Sequence, residues 1–71
     1  MRRMKLTLIK KPRRKVSQEH IDSMARDLDQ NDQREPIVIT DTKRIKNGVA
    51  RYYAAKQLGW THIYTTTEGW I

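Results

Sequence analysis

Asn47-Gly48-Val49-Ala50-Arg51-Tyr52-Tyr53-Ala54-Ala55-Lys56-Gln57-Leu58-Gly59-Trp60 decides how the rest of the 71-residue chain is read. Upstream of it, Arg44-Ile45-Lys46 is strand-like and runs into the Asn-Gly pair. An alanine-rich helix then runs from about Val49 to Leu58, and Gly59 is placed to cap its C-terminus. The first backbone N–H groups of such a helix have no partner inside it. Gly48 either lets a ligand approach them closely or only serves the Asn-Gly turn. Arg51 stands in the same first turn, where it either meets an anion or pairs with a surface acid. A glycine, a helix N-terminus and an arginine together suit a phosphate.

Working outward, Pro36 opens a strand, Ile37-Val38-Ile39-Thr40, whose β-branched run predicts burial on both faces. Asp41-Thr42-Lys43 turns it back into Arg44-Ile45-Lys46 as a hairpin. Before them, Ser17 is a fitting N-cap, with Val16 and Ile21 at hydrophobic-staple positions. Ile21, Met24, Ala25 and Leu28 recur at helical spacing, so an amphipathic helix is expected over residues 18–30. Lys5-Leu6-Thr7-Leu8-Ile9 alternates enough to predict a first strand, and Trp60 to Thr67 a last one. The order β-α-β-β-α-β is that of an α+β domain with a small mixed β-sheet and two helices.

These pieces together resemble the ParB/sulfiredoxin superfamily. In that family a strand leads into Gly-Glu-Arg-Arg-Tyr-Arg-Ala-Ala on the ParB side, or Gly-Cys-His-Arg-Tyr on the sulfiredoxin side. Here the frame reads Gly48-Val49-Ala50-Arg51-Tyr52-Tyr53-Ala54-Ala55. Pro12-Arg13-Arg14-Lys15-Val16 looks like the family's Gln-Pro-Arg loop, Ile21 to Leu28 like its first helix, and Glu35-Pro36-Ile37-Val38-Ile39 like its Gln-Pro-Ile-Val-Val strand. The resemblance covers nearly the whole chain and implies one ParB-like domain over residues 1–71. It also implies that Gly48 and Arg51 face nucleotide phosphates, from a ligand such as CTP or ATP with Mg²⁺. Two departures count against that ligand. Val49 replaces the ParB-type glutamate or the sulfiredoxin cysteine, and Ala50 replaces a second arginine or a histidine. One lost charge-assisted contact weakens an anion complex by about 1.5–3 kcal/mol. No catalytic residue and no cofactor are therefore expected.

Composition narrows the field further. Seventy-one residues leave little room for a large core. The absence of cysteine excludes disulfides, thiolate catalysis and cysteine–zinc sites. No apolar run approaches membrane-spanning length, and the basic N-terminus lacks the apolar block of a signal peptide, so a cytoplasmic protein without a membrane partner is expected. The formal charge of +7 is placed unevenly. Arg2, Arg3, Lys5, Lys10, Lys11, Arg13, Arg14 and Lys15 crowd residues 1–15, while every acid lies later. A localised basic stripe is the footprint of a polyanion partner, whereas net charge alone serves solubility. Residues 1–4 are expected to form a basic tail that orders only on binding.

The candidate phosphate-binding residues are Lys10, Lys11, Arg13, Arg14, Lys15, Gly48 and Arg51. Trp70 and Ile71 form an apolar end suited to contact with a partner protein or a second copy of the chain. His20 and His62 are isolated, and the acids of the first helix read as a solvated face, so no metal site is expected. The leading expectation is a small non-catalytic binding protein, of phage or plasmid accessory type, that holds the DNA phosphate backbone with low sequence specificity. The alternatives are a module that binds and inhibits a host protein, and a nucleotide-using or nuclease-like ParB-type enzyme.

Overall fold

The computed structural model describes residues 2–33 and 35–68. Four strands form one mixed sheet: β1 (Arg2–Lys5), β2 (Ile37–Ile39), β3 (Ile45–Asn47) and β4 (His62–Thr67). Two helices, α1 (Gln18–Asn31) and α2 (Val49–Gln57), complete the α+β fold. The strand order is β1-β4-β2-β3. β4 runs antiparallel to β1 and parallel to β2, and β2 and β3 form an antiparallel hairpin. The expected element order is observed, but the first strand is displaced.

The expected strand over residues 5–9 is a correction. β1 takes Arg2–Lys5 instead, and Leu6–Leu8 form a 3₁₀ turn. Leu6 and Ile9 are buried three positions apart, with the Ile9 N–H bonded to the Leu6 carbonyl at 3.1 Å, while Leu8 is 53% exposed. That spacing fits a 3₁₀ turn, in which residues three apart share a side. Arg2, Arg3 and Met4, expected in a tail ordered only on binding, are strand residues paired with Thr65, Tyr64 and Ile63. Met1 lies outside the described residues.

α1 begins where the sequence places it. The Ser17 hydroxyl accepts from the His20 N–H at 3.2 Å, and Ile21, Ala25 and Leu28 bury the helix's inner stripe. α2 buries Tyr52, Ala54 and Ala55. It ends in a Schellman motif: Gly59 and Trp60 donate to the carbonyls of Lys56 and Ala55 at 3.1 and 2.9 Å, with Gly59 at φ +80°. The cap itself is Leu58, one residue earlier than expected. Both helices share one core with Ile37, Ile39 and Ile63. Burial of β2 on both sides is a further correction, because Val38 is only half-buried between Ile37 and Ile39.

Two polar ties fix the layers. The Asp22 carboxylate accepts from the amides of Gln18 and Gln57, both at 2.9 Å, joining α1 to the end of α2. Gln33 works at the sheet. Its side-chain carbonyl accepts from the Tyr64 N–H at 2.7 Å, and its amide donates to the Tyr64 carbonyl at 2.9 Å. The β2–β4 ladder begins only at Ile37 and Thr65, so Gln33 supplies the rung before it.

Candidate anion-binding grooves

α2 starts without a cap. Gly48 occupies the N-cap position with φ +103°, has no side chain to accept a hydrogen bond, and no acid stands in the first turn. The first bond of the helix runs from the Tyr52 N–H to the Gly48 carbonyl at 3.0 Å. The N–H groups of residues 48–51 therefore have no acceptor within the helix. All four residues line a groove of about 510 Å³, together with Arg14, Lys15 and His20. The N-terminus of α1 meets the same groove through Ser17 and His20, but that end is already capped. The open α2 terminus is thus the stronger attractor for an anion.

A second groove, about 210 Å³, adjoins the first at Arg14 and Val49. Lys10, Lys11, Arg13, Arg44 and Lys46 complete its charged lining. Among the described residues, every charged side chain lining the two grooves is basic. The loop that supplies most of them is held in two places. The Lys10 N–H donates to the Lys43 carbonyl at 2.9 Å, and the Tyr53 hydroxyl donates to the Pro12 carbonyl at 3.4 Å. The adjacent tyrosines of α2 divide their work accordingly: Tyr52 fills the core and Tyr53 anchors the loop.

The structure brings Lys10, Lys11, Arg13, Arg14, Lys15, Gly48 and Arg51 to one side of the molecule. Arg51 also lies 3.6 Å from the largely exposed carboxylate of Glu35. That contact is weak enough, at about 0–1 kcal/mol, for a ligand anion to compete with it. Sequence reading missed Arg44, Lys46, Asn47 and His20 as groove residues. Strand alternation was the available signal for the first two, since Ile45 packs against the core and its neighbours must point elsewhere. Lys46 is also paired with Glu68. Trp70 and Ile71, expected as a partner contact, lie outside the described residues. Among the described residues no group of three or more acidic or histidine side chains is placed to hold a metal ion.

A family model, the ParB N-terminal domain, matches residues 1–68. The chain belongs to the ParB N-terminal domain family. A comparison with curated proteins gives no significant match. Among solved structures, this ParB N-terminal domain is similar to sulfiredoxin from Arabidopsis thaliana, with 22% identity and a TM-score of 0.81 over 93% of this chain and 81% of that one. It is similar also to the C-terminally truncated chromosome-partitioning protein ParB from Caulobacter crescentus, solved with CTP-gamma-S. That match has 19% identity and a TM-score of 0.78, and covers 99% of this chain but 44% of the ParB chain. At these identities the likeness is one of fold. In this ParB-like domain the position after Gly48 is Val49 and the next is Ala50, so neither offers a polar side chain to the groove.

Proposed function

We propose that this ParB-like domain is a non-catalytic polyanion-binding module, and that its partner is the phosphate backbone of duplex DNA. The observation that carries the reading is the pair of contiguous grooves whose charged lining is wholly basic and which end on an uncapped helix N-terminus. Lysine and arginine neutralise phosphates without reading base edges, so binding is weakly sequence-specific and falls steeply with salt. Arg13 and Arg14 take successive phosphates in the loop, and Arg51 with the N–H groups of residues 48–51 takes one more. The side chains of Val49 and Ala50 supply neither nucleophile nor base, which supports a binding role rather than turnover.

The test is an amide chemical-shift titration of labelled protein with a short random-sequence duplex at low and moderate salt. Shifts at residues 10–15, 44–46 and 48–51 that shrink with added salt are the expected result. Arg13→Ala/Arg14→Ala should stay folded, lose most of the affinity and lower the log–log salt slope by about 2. A silent spectrum at low salt would overturn the reading and turn attention to a protein partner. A second reading, nucleotide phosphates in the larger groove, draws on the same open helix terminus and on the nucleotide analogue in the Caulobacter ParB structure. Adding CTP or ATP with Mg²⁺ separates it, since its shifts should be confined to residues 14–20 and 47–51.

A further inference from the structure

The strand register fixes what the sheet shows to each side. Met4, Ile37, Ile39, Ile63 and Thr65 share one side, and the core they enter contains residues of both helices. The alternate residues Arg3, Lys5, Val38, His62, Tyr64 and Thr66 point the other way. None of these six belongs to the core cluster, and all are exposed or half-buried. In the register Arg3 lies opposite Tyr64 and Lys5 opposite His62. A groove of about 380 Å³ begins on this side and is lined by Arg3, His62, Tyr64 and Trp60. β1 and β3 are opposite edges of the sheet, so this surface is separate from the grooves beside β3 and α2.

We propose that this open sheet face binds an unpaired nucleic-acid strand, with a base stacked on Tyr64 beside Trp60 and the flanking phosphates at Arg3 and Lys5. Every base has a π-face, so an aromatic platform ringed by cations holds single strands with little regard for sequence. The sheet residues named carry cations only, complementary to a phosphate chain. Asp32 also lines the groove and accepts from the Gln33 N–H at 2.8 Å. Its negative charge disfavours a phosphate inside the groove, which leaves that space to a base and the phosphates to the strand β1. In a duplex the bases are already stacked and cannot reach the ring, so this face selects unpaired strands. The proposal does not depend on the duplex reading, which uses different side chains.

The experiment is fluorescence anisotropy of labelled oligo(dT), oligo(U) and a duplex of equal length at moderate salt, with wild-type protein and four variants whose folding is checked by amide spectra. Tyr64→Ala should weaken single-strand binding about tenfold or more and leave duplex binding unchanged. Tyr64→Phe, which keeps the ring, should bind as wild type, and Arg3→Ala should weaken single strands without touching the aromatic platform. Arg13→Ala/Arg14→Ala should lose duplex binding and spare most of the single-strand affinity. Comparison of oligo(dT) with oligo(U) says whether the strand is DNA or RNA. Unchanged single-strand affinity in Tyr64→Ala would overturn the proposal, as would parallel loss of both ligands. So would a wild-type dimer that Tyr64→Ala dissociates, since the face would then belong to a second copy of the chain.

Discussion

At Gly48 a side-chain carbon would lie 2.6 Å from Cγ2 of Ile37 and 2.9 Å from its Cβ. Ile37 is fully buried, so neither side can give. The φ of +103° adds a conformation that other residues rarely adopt. Gly59 offers the opposite case: its φ is +80°, but nothing lies within 4 Å of an added carbon. Gly59→Ala should therefore cost about 1 kcal/mol from backbone conformation alone. Gly48→Ala should cost about 2–4 kcal/mol, because overpacking adds to the same penalty. A 71-residue domain has about 4–10 kcal/mol of stability in total, so urea melts should separate the two variants widely. The sequence placed Gly48 at a helix start and left open whether it admits a ligand or only serves the Asn-Gly turn. It could not show that a buried isoleucine from the neighbouring strand enforces the glycine, because that contact exists only once β2 and α2 are packed together. Arg51 lines the groove and lies 3.6 Å from Glu35, so of the two uses open in the sequence the pairing with a surface acid is present, and the anion contact belongs to the proposed function.

Between elements, the tie at Asp22 has a pH signature. Hydrogen bonds from Gln57 and Gln18, with Arg26 nearby, hold its carboxyl below the ordinary 3.8. Unfolding removes those partners, so the unfolded chain takes up the proton first as pH falls. The stabilisation is thus complete well above 3.8 and is lost as pH drops through that value toward the lowered native one. The stability gap between wild type and Asp22→Asn in urea melts should be constant near neutrality and shrink on acidification; a gap independent of pH would count against the tie. This tie was not legible in the sequence, because Asp22 and Gln57 meet only through helix packing. α1 itself was legible, since Ser17 and the Ile21, Ala25, Leu28 stripe carry both cap and period. β1 was not, because Arg2–Lys5 has Met4 as its lone apolar residue, whereas the leucines that suggested a strand belong to a 3₁₀ turn.

Across the whole molecule, the basic N-terminal segment divides. Arg2, Arg3 and Lys5 lie on β1 at one edge of the sheet, while Lys10 and Lys11 reach the groove beside β3 at the other. A linear charge count merges these groups into one stripe, and only the strand order separates them. The gathering of Arg44 and Lys46 with the loop of residues 10–15 was hidden for the same reason, being set by the hairpin rather than by proximity in sequence. Gln33 carries a last consequence at this scale. By occupying both polar groups of Tyr64 it closes a short length of β4 that β2 does not reach. Without it, that backbone becomes a template for another chain's strand. Gln33→Ala should still fold, yet it should self-associate at concentrations where the wild type stays monodisperse in light scattering. One amide side chain would then set the shelf life of the protein in solution.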